Sequence, residues 1–335
     1  MKIKDLDSID SQKMYKVYDN WPEIARESFE IKFDRFNMKG INQVIFAGMG
    51  GSGSIGDALS SILSKKGIHL KSVKGYSLPR TSDANSLIIT TSVSGETQET
   101  LEILKKAAKT NSKVIAFSSG GSIKKFCQDN KIFFQEIPMM HSPRASFTKF
   151  LFSILNVLKD VLSIEEKDVE EAILDLKKTR EMISSNNLGE DNVALKLAEW
   201  IKGIPLVYYP NGLQSAAIRF KNSLQENSKK HVIAEEILES CHNGIVAWEK
   251  DSNVQPIFIK GTDDHVKTIE RWNILEQFFK QEKIEFFEIR SINGNIISKI
   301  VNLIYLLDYS SIYHSVLKKI DPSPVRSIDF VKAKL

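Results

Sequence analysis

Twice in its first hundred residues the chain runs through a short apolar stretch, stops at a turn of small residues, and continues in a helix-spaced apolar stripe. The first stretch is Val44-Ile45-Phe46-Ala47. It leads through Gly48-Met49-Gly50-Gly51-Ser52-Gly53 to Ile55, Ala58, Leu59, Ile62 and Leu63. The second, residues 87–90, leads through Thr91-Ser92-Val93-Ser94-Gly95-Glu96-Thr97 to Leu101, Leu104, Ala107 and Ala108. Spacings of i, i+3, i+4 and i+7 mark one face of a helix, and short β-branched runs bounded by turn residues mark buried strands. Strand, turn and helix in alternation predict a parallel sheet with helices on its faces.

The second turn has the residues that a phosphate needs. The first N–H groups of a helix have no partner within the helix, and the helix dipole favours an anion there. Ser92, Ser94 and Thr97 add hydroxyl donors. No Lys follows Gly95, the sole glycine of this turn, so a small phosphomonoester fits better than a nucleotide. An ordinary capped helix start uses the same residue types, and this turn alone does not separate the two readings. The first turn formally satisfies G-x-G-x-x-G through Gly48, Gly50 and Gly53. A dinucleotide site also wants an acidic residue about 20 positions on, and there is none between Asp57 and Asp83. Only an NADP version, with Lys71 or Lys74 near the 2′-phosphate, stays open.

Taken together, Gly48-Met49-Gly50-Gly51-Ser52-Gly53 and Ser92-Val93-Ser94-Gly95-Glu96-Thr97 resemble the sugar isomerase (SIS) superfamily, and their spacing is similar to its first two βα units. The resemblance implies that the Ser-x-Ser-Gly-x-Thr loop holds the phosphate of a phosphosugar.

The rest of the chain sets bounds on partners. Its 335 residues allow two domains of roughly 150 residues. A formal charge of +4 with interspersed acids and bases calls for neither nucleic acid nor an anionic membrane. The two cysteines, Cys127 and Cys241, lie far apart, which argues against a disulfide framework or a zinc site. No apolar run reaches the roughly 18 residues of a membrane span. The first residues lack the apolar core of a signal peptide. The expectation is a cytoplasmic enzyme.

Residues 10–36 read as amphipathic helix, with Tyr15, Tyr18, Trp21, Ile24 and Phe29 on or near one side. Strand-like runs recur at 44–47, 87–91, 114–118 and 132–137. Phe147, Phe150, Leu151, Ile154, Leu155 and Leu158 form a helical stripe, and a charged helical segment follows from 164 to about 180. Residues 184–189 read as a loop. The pattern then repeats, with strands at 204–209, 256–260 and 284–289, helices at 266–281 and 296–317, and a short C-terminal helix after Asp321-Pro322-Ser323-Pro324. The second half has no hydroxyl-rich turn like Ser92–Thr97, which predicts one phosphate site per chain.

Proton abstraction next to a carbonyl needs one placed base, often a Glu. Ring opening of a sugar needs an acid–base partner, which His supplies near neutral pH. Glu226 and His242 are the candidates. From the residues alone, Glu226 also suits a surface carboxylate and His242 a structural histidine. His231 reads as solvated or structural. Ala217-Ile218-Arg219-Phe220-Lys221, Glu226-Asn227-Ser228-Lys229 and His242-Asn243 closely resemble the second half of the bifunctional phosphoglucose/phosphomannose isomerases. Pro143-Arg144-Ala145-Ser146 and Asp321-Pro322-Ser323-Pro324-Val325, with Ile328 and Lys332, are similar to further motifs of that family. The order and spacing agree from about residue 40 onward.

This resemblance implies an α/β chain of two tandem SIS-type domains, each a doubly wound parallel sheet flanked by helices. The pattern of runs places the boundary between about 155 and 190, giving 1–155 for phosphate binding, 156–189 as a helical connection, and 190–335 for the domain with the catalytic Glu and His and the C-terminal helix. The resemblance also implies the roles. Gly51, Ser52, Ser92, Ser94 and Thr97 bind the sugar phosphate. Arg144 stabilises the enediolate, and Glu226 moves the proton between C2 and C1. His242, from the neighbouring subunit of a homodimer, and Lys332 assist ring opening. Lys334, two residues on, leaves open which lysine serves.

Two departures carry expectations of their own. Glu96 stands where Asn is common and is expected to point outward, since a carboxylate beside a phosphate is unfavourable. Ser323 stands where Thr is frequent, and its hydroxyl bears on whether mannose 6-phosphate is accepted. The implied reaction interconverts glucose 6-phosphate, and with it mannose 6-phosphate, with fructose 6-phosphate through a cis-enediol. It is acid–base chemistry that calls for no cofactor and no metal. The alternatives are a non-catalytic phosphosugar-binding protein of the same fold, an isomerase for another sugar phosphate, and an NADP-dependent oxidoreductase.

Overall fold

The short β-branched and aromatic runs do form strands. The computed structural model describes residues 1–33, 39–64 and 66–334, and within them nine strands make two sheets. The first holds β1 (Gln43–Ala47), β2 (His69–Val73), β3 (Ser86–Ser92), β4 (Lys113–Ser118) and β5 (Phe133–Glu136), in the order β2-β1-β3-β4-β5. The second holds β6 (Ile204–Tyr209), β7 (Ile233–Glu236), β8 (Val254–Lys260) and β9 (Phe287–Arg290), in the order β7-β6-β8-β9. Every neighbouring pair is parallel. Helices lie between successive strands except β2 and β3, as parallel connections commonly use. Among the described residues no helix is long and apolar enough to cross a membrane.

The strand order positions the site. The chain steps outward from β1 to β2, then crosses back to β3 on the other side of β1. The loops after β1 and β3 therefore diverge, and ligands of such sheets bind at this switch point, beyond the carboxyl ends of the strands. β1 ends at Ala47 and β3 at Ser92, so both small-residue turns of the sequence flank the switch point of the first sheet.

The chain divides into two compact units. One is Asn20–Leu174 with Asn295–Ser298; the other is Met1–Asp19, Asp175–Gly294 and Lys299–Leu335. In the first unit β3 is buried along its whole length, and the helix Phe147–Leu162 turns a long apolar face inward. Trp21 stacks on Phe147 with ring centroids 6.0 Å apart. In the second unit Phe258 lies among Tyr208, Trp272, Phe279 and Phe286.

The other half of that second core is polar. The helix Ile296–Leu317 carries Tyr305, Tyr309 and Tyr313 at four-residue spacing, all buried. Tyr305 donates to Tyr18 O, Tyr309 to the Asp19 carboxylate and Tyr313 to Ile183 O. Buried hydroxyls need such partners. Tyr18 and Asp19 supply two of them, which is why the first nineteen residues cluster with the second unit.

Residues 10–36 do not form one helix. Ile3–Ile9, Met14–Asp19 and Trp21–Glu30 are separate. Lys13 breaks the run with φ of 54°, and Pro22 starts a new helix, where its missing N–H costs nothing. Residues 34–36 lie outside the described residues. β2 and β7 have no counterpart among the strands read from sequence. Both are half-exposed edge strands, so neither shows a long apolar run.

Candidate active site

The turn after β3 is built on its own hydroxyls. Ser92, the last residue of β3, is buried, and its Oγ accepts the Gly95 N–H at 3.1 Å. Ser92 Oγ and Thr97 Oγ1 share a hydrogen bond of 2.8 Å. Gly95 has φ of +75°, and a Cβ there would lie 2.0 Å from Gly120 O, so no other residue fits. Thr97 is the N-cap of the helix Gln98–Ala107, yet its side chain makes no capping bond. The first N–H groups of that helix therefore face the switch point without a side-chain acceptor, the arrangement that suits an anion. Half-buried Ser94 stands beside them and accepts the Glu96 N–H at 3.3 Å.

Glu96 points away from these hydroxyls. Its carboxylate accepts the Ser122 N–H at 2.9 Å and the Ser122 hydroxyl at 2.6 Å, at the start of the helix Gly121–Asp129. A negative charge is favoured at that helix start.

The turn after β1 joins the same place. Ser52 is buried in the first turn of the helix Gly50–Leu63, and its Oγ accepts the Val93 N–H at 3.1 Å. One hydrogen bond thus ties the two turns together. At Gly51 a Cβ would lie 3.0 Å from Pro143 O and 3.3 Å from Arg144 Cα. Lacking one, the turn lets the Pro143–Arg144 backbone lie directly on it. Arg144 is 5% exposed. Ser146 pins this segment, donating to Ser142 O at 2.8 Å and accepting the Met140 N–H at 2.9 Å. The first unit thus gathers Gly51, Ser52, Ser92, Ser94, Thr97 and Arg144 around one switch point.

Glu226 belongs to the second unit. It is half-buried in the last turn of the helix Gln214–Ser228. Arg219 Nε and Nη2 donate to Asp308 Oδ2 at 3.0 and 2.6 Å, and Ser223 Oγ donates to Asp308 Oδ1 at 2.7 Å. Asn227 donates to Ser311 Oγ, and Ser228 Oγ to Ser311 O. These bonds fasten the Glu226 helix to Ile296–Leu317. Arg219 is near enough to feel the Glu226 charge. Neither Asp308 nor Ser311 is apparent as a partner from sequence, because about 85 residues separate them from the helix they hold.

Ser323, 9% exposed, lies in the turn that Lys229 ties to the end of the Glu226 helix. Its hydroxyl donates to buried Asp10 at 3.4 Å, and its N–H donates to Asp321 Oδ1 at 3.0 Å. His242 is exposed in the turn after the short helix Ile237–Ser240, beyond the carboxyl end of β7. The helix that carries Glu226 runs back from the carboxyl end of β6 to the amino end of β7. Within one chain, Glu226 and His242 therefore lie toward opposite ends of β7, a strand roughly 13 Å long. The fold does not bring them together. Lys332 is exposed in the last turn of the helix Arg326–Lys332, and Lys334 Nζ lies 5.9 Å from the Phe330 ring. Among the described residues no cluster of His, Cys, Asp or Glu could hold a metal ion.

Comparison with known proteins covers both units. Residues 38–154 match the SIS domain, and residues 190–335 match the bacterial phospho-glucose isomerase C-terminal SIS domain. The bifunctional phosphoglucose/phosphomannose isomerase of Caldicellulosiruptor bescii is 32% identical over 335 residues, spanning 96% of this chain and 98% of that one. The Aquifex aeolicus protein of the same name is 26% identical over 97% of this chain and 98% of its own. Among solved structures, the C-terminal domain of glucosamine-fructose-6-phosphate aminotransferase from Francisella tularensis superposes with a TM-score of 0.68 at 18% identity. It covers 91% of this chain and 96% of its own, and that likeness bears on the fold alone.

Proposed function

This chain belongs to the bifunctional phosphoglucose/phosphomannose isomerase family, and on that premise we propose that it interconverts glucose 6-phosphate and mannose 6-phosphate with fructose 6-phosphate. The observation that carries the reading is a similarity running nearly the full length of both chains, which takes in both the Ser92–Thr97 turn and the Glu226 helix.

The roles follow from the chemistry. The phosphate sits on the first N–H groups of the helix Gln98–Ala107, with hydroxyls from Ser52, Ser92, Ser94 and Thr97 and the open backbone of Gly51 around it. The pairing of Ser92 with Thr97 and the absence of a side-chain cap support this. His242 and Lys332 move protons as the sugar ring opens. Glu226 takes the C2 proton, and Arg144 balances the negative charge that develops on the oxygens at C1 and C2. Reprotonation at C1 gives the ketose. The two aldoses differ only at C2, so rotation about C2–C3 in the intermediate lets one base serve both. Ser323 keeps the hydroxyl that the resemblance links to mannose 6-phosphate.

The distance between Glu226 and His242 within one chain supports a homodimer in which His242 serves the neighbour's site. The functional partition we adopt is 1–155 for phosphate binding and 190–335 for proton transfer, joined by 156–189. The proposed setting is the cytoplasm, in glycolysis or gluconeogenesis.

The test is fructose 6-phosphate formation from each aldose phosphate, in EDTA, by wild type and Glu226→Gln. Turnover of both sugars by wild type, lost in the variant with the fold intact, is the expected result. Turnover of glucosamine 6-phosphate alone would move the reading to another sugar. Phosphosugar binding without turnover would make the chain a sensor.

A further inference from the structure

The helix that carries Glu226 ends on an unusual lysine. Lys229 takes the left-handed conformation, φ 55° and ψ 32°, as its C-cap. Its Nζ then folds back over the helix end and donates to Glu226 O at 2.8 Å and Asn227 O at 3.3 Å. Both are carbonyls that a helix terminus leaves without intrahelical partners. The same Nζ donates to Asp321 O at 3.2 Å, Pro322 O at 3.4 Å and Pro324 O at 2.9 Å. An ammonium has three N–H donors, so five carbonyls share them, much as they would share a bound cation. The carbonyl of Glu226 itself is thus bonded to the same atom as the turn that holds Ser323.

That turn is fixed from its far side as well. Ser11 Oγ donates to Asp321 Oδ2 at 2.5 Å, and Ser323 Oγ donates to Asp10. With one side anchored on the N-terminal segment, Lys229 is the link through which the turn and the base helix hold each other in place.

The geometry points to Lys229 as a positioning residue that sets where Glu226 stands relative to the substrate, and through it the ratio in which the two aldose phosphates react. The inference rests on Glu226 as the base. The two aldoses differ only in the configuration at C2, the carbon whose proton the base removes. A base whose backbone anchor loosens therefore does not lose both substrates equally. Lys229 touches no reacting atom and acts through Glu226.

The experiment compares wild type, Lys229→Gly and Lys229→Arg on glucose 6-phosphate and mannose 6-phosphate. Glycine suits the left-handed φ, so Lys229→Gly removes the ammonium and keeps the helix end. Its kcat is expected to fall about tenfold to a hundredfold, the scale of a small misplacement of a catalytic group, with KM little changed and the two sugars unequally affected. Lys229→Arg, which keeps a cationic donor, is expected to recover most of the rate. Hydrogen exchange should show lost protection in residues 321–324 of Lys229→Gly. An unchanged sugar ratio in a folded Lys229→Gly, with or without a lower Tm, overturns the proposal alone. Full activity in Glu226→Gln, assayed alongside, overturns the base assignment and this inference with it.

Discussion

Ser92 shows how much one side chain can be asked to do. Its buried hydroxyl shapes the turn through Gly95 and pairs with Thr97. Replacing Ser92 by Ala removes both and, in the proposed role, one donor to the phosphate. A hydrogen bond to a charged group contributes about 1.5–3 kcal/mol, so KM for either sugar phosphate should rise at least about tenfold. A phosphate remote from the reacting carbons is expected to be held equally in ground and transition states, so steady-state kinetics should find kcat far less affected. The hydroxyl-rich turn is legible in sequence because its residues are contiguous. The Asp10 partner of Ser323 is not, since 313 positions separate the two and nothing local marks either as paired.

Among elements, the buried contact between the Glu226 helix and Ile296–Leu317 is the most exposed to mutation. Arg219 and Asp308 are almost wholly buried. Arg219→Leu strands the Asp308 charge and should cost about 3–5 kcal/mol in denaturant unfolding, while the double variant with Asp308→Leu should regain much of it. The same long helix carries His314, buried at 1% exposure. Burial, with Lys318 and Lys230 adding to it, pushes its pKa down from 6.5 to about 4. The unfolded chain then binds the extra proton first as pH falls. Stability present above pH 6.5 is lost between there and about pH 4, by roughly 3 kcal/mol. His314→Leu should flatten the fall in Tm over that window; an unchanged slope would assign the acid sensitivity elsewhere. Long helices such as this one are plain in sequence because their apolar residues recur over many turns. β2 and β7 are not, because an edge strand of four or five residues with one wet face shows too few apolar positions.

For the whole molecule, the separation of Glu226 from His242 makes a direct demand on assembly. If His242 completes a neighbour's site, Glu226→Gln and His242→Ala subunits, each inactive alone, should recover part of the activity when mixed. The recovered activity should follow the fraction of heterodimers formed. Complete subunit exchange without recovery would remove the shared site and leave His242 an exposed residue of one chain.

By itself the sequence determined the α/β class and the two small-residue turns that flank the switch point of the first sheet. Both depend on short-range physics: the period of apolar residues, and consecutive hydroxyls and glycines where a strand meets a helix. Three things were decided only in the tertiary structure. Residues 1–19 join the second unit because the buried tyrosines Tyr305 and Tyr309 find their acceptors there. Glu96 turns from the hydroxyls of the Ser92–Thr97 turn because Ser122, 26 residues on, offers its carboxylate a helix start. The end of the Glu226 helix is tied to the Asp321–Pro324 turn because a left-handed Lys229 reaches carbonyls more than 90 residues away. In each case the deciding bond satisfies a polar group whose partner lies far along the chain, and a local pattern cannot name it.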